Sequence, residues 1–258
     1  MAELEIRQIP VLRDNYVYLL REPESGAVAA VDPSVAAPVA AALDKLGWKL
    51  THILNTHHHN DHTGGNLELK AATGAIIVGP LADRDRIPGI DVALAEGDTL
   101  QFDKEEANVF DVPGHTRGHC AFWFPRSRAL FCGDTLFLMG CGRLFEGTPA
   151  QMWHSLSKLK QLPGDTRVYC GHEYTQANAR FALTVEPGNR ELIARAKHVD
   201  ELRARGQSTV PGTMAEELAT NPFLRADIPA LQKSQNAPGD DVATFAAIRK
   251  AKDEFLCD

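Results

Sequence analysis

The sequence predicts an α/β body followed by an all-helical tail, on three observations. Through residue 172, short apolar runs alternate with glycine, proline and Asn/Asp breaks, which is the pattern of strands and tight connections. Beyond residue 175 helical periodicity takes over and no convincing strand remains. The chain has 258 residues, 44% of them apolar, enough for one large domain or one domain with a smaller appendage.

Taken in order, residues 4–9, 16–20 and 27–31 predict three strands of a meander, bounded by Pro10, Asp14-Asn15 and Ser25-Gly26. Asp32-Pro33-Ser34 ends the third and opens a helix with Val35, Val39, Ala42, Leu43 and Leu46 on one face and Gly47 as its stop. Residues 49–54 predict a strand, and a histidine-rich loop hangs from its C-terminal end. Gly64 and Gly65 permit a close turn into a helix through residue 72, and 75–78 predict a buried strand. Residues 80–97 are polar and broken by Pro80, Pro88, Gly89 and Gly97, so they read as a loop. Strands follow at 99–102, 107–112, 119–124, 129–132 and 167–170. A helix at 149–161 is capped by Thr148, with Pro149 at its first position. The strand–helix order of the first half and of 99–172 suits two similar layers. In the tail, helices are expected at 176–184, 189–205, 214–220 and 240–256, separated by Gly206 and Pro211-Gly212. They form an appendage that follows the body rather than joining its sheets.

The net charge of −7 argues against nucleic acid or an anionic membrane as partner, since both attract basic surfaces. Residues 176–258 hold 11 Lys/Arg against 12 Asp/Glu, so the tail is near neutral and the body carries the acidity. The odd count of five cysteines (Cys120, Cys132, Cys141, Cys170 and Cys257) and the lack of any CxxC point to reduced thiols. The opening residues lack a secretory or transit pattern, and no apolar run approaches the ~20 residues of a membrane span. A cytoplasmic monomer is the expectation.

The chemistry concentrates in Thr56-His57-His58-His59-Asn60-Asp61-His62, where His57, His59, Asp61 and His62 are four metal-ligand types within six residues. Three further strand ends repeat a glycine followed by a ligand type: Gly114-His115, Gly133-Asp134 and Gly171-His172. Seven candidates exceed the four of one tetrahedral zinc and suit two divalent metals sharing a carboxylate. The expected division is His57, His59 and His115 on one metal, Asp61, His62 and His172 on the other, with Asp134 bridging. A purely structural zinc usually recruits cysteine, which is missing from this set. Asp32 is a candidate support for a ligand ring, whereas His58 and His119 are expected to stay outside the set. Cys141 has no neighbouring base to activate it.

These motifs bring the sequence to a family. HxHxDH with the later His115, Asp134 and His172 resembles the metallo-β-lactamase superfamily. THHHNDHTGGN (56–66), PGHTRGH (113–119), GDTLF (133–137), GCGRLFEG (140–147), GHEYT (171–175), NPFLR (221–225) and Arg249-x-x-Lys252-Asp253 resemble glyoxalase II, the hydroxyacylglutathione hydrolases. The resemblance covers nearly the whole chain. It implies an αββα sandwich over 1–173 and a helical substrate-binding domain over 174–258. It implies hydrolysis of the thioester S-D-lactoylglutathione and related 2-hydroxyacyl-glutathiones by a hydroxide on a dinuclear centre, the second step of methylglyoxal detoxification. Zinc is the expected metal, with iron or manganese as alternatives, and Asp61 and Asp134 are the expected catalytic carboxylates. It further implies that Arg143, Tyr174, Arg249 and Lys252 bind the glycine carboxylate of glutathione. Arg249 and Lys252, three apart, share a helix face on which an exposed pair would clamp one carboxylate. Phe145 stands where some members carry a tyrosine. The rival readings are an iron-dependent glutathione persulfide dioxygenase with one metal, and an inactive glutathione- or metal-binding module.

Overall fold

The computed structural model describes residues 3–255. Cys257 and the last expected residue of the final helix, 256, lie outside the described residues. The chain divides into two compact units: one runs to Asp111 and includes Arg117–Gly133, and the other holds Val112–Thr116 and the chain from Asp134 onward.

In the first unit, β1 (Glu5–Val11), β2 (Asn15–Arg21) and β3 (Val28–Val31) form the expected antiparallel meander. Helix α1 (Ala36–Leu46) then carries the chain over to β4 (His52–Leu54), which runs parallel to β3. A parallel neighbour requires such a crossover. Val39 and Leu43 of α1 are buried against Val28, Ala30 and Ile53, and Gly47 ends the helix in the left-handed conformation, φ 65°. After the histidine-rich loop come a single turn, α2 (Asn60–Thr63), and then α3 (Asn66–Thr73). Strands β5 (Ile76–Pro80) and β6 (Val92–Leu94) extend the parallel part of the six-stranded sheet. The second sheet contribution of this unit is antiparallel, in the order β10-β9-β8-β7: β7 (Thr99–Phe102), β8 (Glu105–Asp111), β9 (Cys120–Phe124) and β10 (Ala129–Gly133).

Two local expectations change here. The 80–97 segment carries β6, a strand too short for its alternation to register. Gly64 and Gly65 keep ordinary helical φ values of −60° and −86°. Their glycine identity comes from space, because a Cβ would lie 2.5 Å from the Ser34 carbonyl oxygen at Gly64 and 2.8 Å from that of Pro33 at Gly65.

The second unit begins with a tight hairpin, β11 (Leu136–Phe137) and β12 (Gly140–Cys141), in the stretch read as merely Gly-rich. Helix α4 (Pro149–Leu159) starts with a capping box between Thr148 and Gln151 and with Pro149 in its first turn, as its sequence implies. Strand β13 (Arg167–Cys170) follows. The tail holds α5 (Thr175–Val185), α6 (Arg190–Ala204), β14 (Gly212–Thr213), α7 (Met214–Thr220), α8 (Pro229–Ser234) and α9 (Asp241–Glu254). Asn189, Thr213 and Asp240 cap α6, α7 and α9. The tail is not strand-free: β14 pairs antiparallel with β13, Val168 opposite Gly212, so at this point the tail does join a strand of the body. Two residues are too few to show a period. Helix α8, six residues long, also went unpredicted for want of length. In the tail interior Phe181 stacks on Phe223, which meets Phe245 edge-on.

Candidate metal centre

In the first unit, alternation along the extended segment leaving β4 puts His57 and His59 on one side. Their rings converge, His57 Nε2 lying 3.1 Å from His59 Nδ1. The turn of α2 then makes neighbours of Asp61 and His62, with His62 Nε2 3.6 Å from Asp61 Oδ2. Asp32, buried at the end of β3 with φ 50°, organises this cluster. It accepts from Thr56 N (2.8 Å), Thr56 Oγ1 (2.7 Å) and His62 Nδ1 (3.1 Å). Because the Thr56 hydroxyl gives its proton to Asp32, its oxygen is left to accept from His57 Nδ1, 3.0 Å away. Both rings therefore carry their proton on Nδ1 and their lone pair on Nε2, the form a metal ligand needs. Asn15 Nδ2 holds Asp61 Oδ2 at 3.0 Å.

In the second unit, Asp134, His115 and His172 meet. Asp134 Oδ2 is 3.5 Å from His115 Nε2 and 3.3 Å from His172 Nε2, so one carboxylate oxygen faces two imidazoles. His115 Nδ1 donates to the Arg143 carbonyl at 2.9 Å, which again turns the Nε2 lone pair towards the carboxylate. Gly142 makes this possible, since a Cβ there would sit 1.9 Å from the Asp134 carbonyl oxygen. The His172 ring is stacked on Tyr174, centroids 4.7 Å apart at 4°.

The donor set is imidazole and carboxylate throughout, which suits zinc, iron or manganese. Among the described residues, groups of His and Asp side chains bring ligand atoms within 4.8 Å of one another and could hold a metal ion. Asp32 belongs to one such group with His57 and His62, yet its oxygens are engaged by Thr56 and by the Nδ1 side of His62, so it supports the candidate ligand rings. His58 has partners of its own: Nδ1 pairs with Asp83 Oδ2 at 2.8 Å and Nε2 accepts from Arg86 at 3.2 Å. His119 stacks on His57 at 4.6 Å and gives Nδ1 to the Cys120 carbonyl. Thr56 and Asn15 were missed from sequence. Only the position of Thr56 beside His57 hinted at its role.

The expected substrate-binding residues, all in the second unit, differ in placement. Arg143 is exposed, and Tyr174 is 37% exposed. Phe145, 61% exposed, sets its ring 5.1 Å from that of His115. Lys252 is half-buried over the Phe181 and Phe255 rings and donates to the Ala177 carbonyl at 3.2 Å. Arg249 is not exposed as its helical spacing suggested. It is 5% exposed and donates to the Cys141 carbonyl (3.0 Å) and Asp253 (2.8 Å), because α9 turns this position inward over Phe223. Cys120, Cys132, Cys141 and Cys170 are free thiols and buried. Burial pushes the Cys141 thiol up to about 11 against the pull of Arg249, which removes it as a nucleophile.

Comparison with known proteins separates the possibilities that share this geometry. Residues 11–172 match the model of the metallo-β-lactamase superfamily, and residues 173–255 match that of the hydroxyacylglutathione hydrolase C-terminus. The hydroxyacylglutathione hydrolase of Methylococcus capsulatus is 62% identical over 98% of this chain and 99% of its own. The chain belongs to the hydroxyacylglutathione hydrolase family. The member from Rhodospirillum rubrum is 57% identical over 99% of this chain and all of its own. Among solved structures, ETHE1 from Myxococcus xanthus superposes with a TM-score of 0.66 at 24% identity, over 97% of this chain and all of that one, which supports the fold. The hydroxyacylglutathione hydrolases thus share with this chain a metallo-β-lactamase αββα sandwich and a helical C-terminal part, here α5–α9. TTHA1623, solved in a di-iron-bound form, is 26% identical with a TM-score of 0.60, over 85% of this chain and 99% of that one.

Proposed function

We propose that this chain hydrolyses S-D-lactoylglutathione and related 2-hydroxyacyl-glutathiones to glutathione and the hydroxy acid, the second step of methylglyoxal detoxification. The observation that carries the proposal is the match of residues 173–255 to the family's own C-terminal model, which other metallo-β-lactamase folds need not share. The proposed division of labour is a catalytic domain over 1–173 and a substrate-binding domain over 174–258. His57, His59 and His115 are assigned to one divalent metal, Asp61, His62 and His172 to a second, and Asp134 to both. Zinc is the proposed occupant, with iron or manganese able to use the same donors. Bound metal would supply hydroxide near neutral pH and a Lewis-acidic contact for the thioester carbonyl.

The remaining work falls to the side chains. Asp32 and Thr56 fix the ring tautomers of His57 and His62, and the Arg143 carbonyl fixes that of His115. Asp61, held by Asn15, and Asp134 are the catalytic carboxylates that keep the nucleophile aligned. Arg143, Tyr174 and Lys252 meet the glycine carboxylate of glutathione, and Arg249 serves the same site through the loop it holds. The leaving thiolate, with a pKa of roughly 8.5, departs without a protonated acid. A monomer in the reducing cytoplasm fits the buried free cysteines. Among the described residues no helix is long and apolar enough to cross a membrane.

The test is loss of thioester absorbance on adding S-D-lactoylglutathione, together with metal analysis of the same sample. Oxygen uptake with glutathione persulfide and about one iron per chain would instead favour the persulfide dioxygenase reading.

A further inference from the structure

The hairpin β11–β12 is gripped by the tail from Phe137 to Cys141. Asn221, fully buried, points its amide nitrogen at both strands, 3.1 Å from the Phe137 carbonyl and 3.0 Å from the Gly140 carbonyl. Glu217, also fully buried, accepts from the Met139 backbone N–H at 2.8 Å and from Asn221 at 2.9 Å. Asn178 of α5 donates to the Leu138 carbonyl at 3.1 Å, and Arg249 of α9 donates to the Cys141 carbonyl at 3.0 Å. Every residue from Phe137 to Cys141 thus has a backbone polar atom bonded by a tail side chain. The tip needs such support, because Met139 sits at φ 54°, a region costly for a residue with a side chain.

What the hairpin carries makes the grip meaningful. Asp134 lies two residues before it, and Arg143, whose carbonyl accepts from His115 Nδ1, lies two residues after it. The Gly142 N–H closes the base on the Thr135 carbonyl at 3.2 Å. Both ends of one short clamped segment therefore set a metal-ligand side chain: Asp134 directly, His115 through a carbonyl.

We infer that Asn221, Glu217 and Arg249 are positioning residues of the metal centre, so that the helical tail orients Asp134 and His115 as well as receiving glutathione. The inference rests on the metallohydrolase reading above. It gives the Asn of the NPFLR segment a role, and it gives Arg249 a task that its burial permits.

The test uses the full metal-loaded chain and three variants: Asn221→Asp, Arg249→Met and Arg249→Lys. Asn221→Asp keeps the shape and turns a donor into an acceptor facing two carbonyls and Glu217. Arg249→Met keeps length and packing and removes one anchor. Metal retained against a chelator and the kcat and KM for the thioester are measured, with thermal melting as the check on folding. Residues that hold ligands in place typically change metal affinity by about 10–100-fold when lost. The expected result is a loss of that order for Asn221→Asp and Arg249→Met together with a fall in kcat. Arg249→Lys, which can still donate to the Cys141 carbonyl, should recover part of both. Metal retention equal to the parent, with KM alone raised, would overturn the inference and leave Arg249 a substrate contact. If Asn221→Asp fails to fold, the Arg249 pair decides by the same readouts. A parent chain without metal or thioesterase activity would defeat the functional reading, which is a separate outcome.

Discussion

Asp32→Asn is the most informative single change, because one isosteric swap should switch the tautomers of two proposed metal ligands. Asp32 accepts three hydrogen bonds and donates none. In the asparagine variant the Thr56 N–H still requires an acceptor, so Oδ1 stays on it and the amide takes the place of Oδ2. The amide then donates to Thr56 Oγ1, whose hydroxyl proton turns to His57 Nδ1, and it also faces His62 Nδ1. Both rings are driven to carry their proton on Nε2, the ligating atom. All three hydrogen bonds persist, two of them with reversed sense, so the metal-free protein should lose only about 1 kcal/mol, the charge assistance of the carboxylate. Metal affinity should fall by about 10–100-fold or more. Asp32→Ala is the contrasting case. It leaves buried donors without acceptors at about 1–3 kcal/mol each and should cost stability as well. The assay pairs chelator competition on the metal-loaded protein with thermal melting of the stripped protein. Wild-type metal retention in Asp32→Asn would refute the tautomer argument.

Three other outcomes are expected. Tyr174→Phe keeps the stack on His172 and removes a hydroxyl, so it should raise KM for the thioester by about 3–10-fold with little change in kcat in steady-state assays. With its thiol at about 11, Cys141 is only about one part in a thousand thiolate at pH 8, so iodoacetamide at that pH should leave activity intact. Burial raises the pKa of Glu105 above its usual 4.5, although the Ser127 hydroxyl bond opposes the shift. The unfolded chain releases this proton first, so the stability tied to Glu105 is present below pH 4.5 and falls as pH rises through the folded value. Glu105→Gln, which can still accept from Ser127, should melt higher than the parent at neutral pH, with the gap closing below the usual pKa.

The candidate centre was legible in sequence because three of its proposed ligands follow glycines at strand ends: His115 after Gly114, Asp134 after Gly133, His172 after Gly171. His58 and His119, expected outside the ligand set, have partners in Asp83, Arg86 and the Cys120 carbonyl. Long amphipathic elements such as α1, α4 and α9 were legible through periodicity and caps. The short elements β6, β11, β12, β14 and α8 were not, because runs of two to six residues are masked where glycine and proline break the segment around them. The inward turn of Arg249 also escaped prediction. The i, i+3 spacing with Lys252 fixes a shared face, and only packing on Phe223 and the Cys141 carbonyl decides that its guanidinium is buried. Asn221 and Glu217 act on backbone atoms more than 70 residues earlier, which no local pattern can display.

The central claim is that two metals, held by His57, His59, Asp61, His62, His115, Asp134 and His172, drive thioester hydrolysis. It is tested most directly by titrating zinc into the metal-stripped chain while following S-D-lactoylglutathione hydrolysis. The rate should rise to a plateau at about two equivalents per chain. A plateau at one equivalent, or a rate independent of metal, would contradict it.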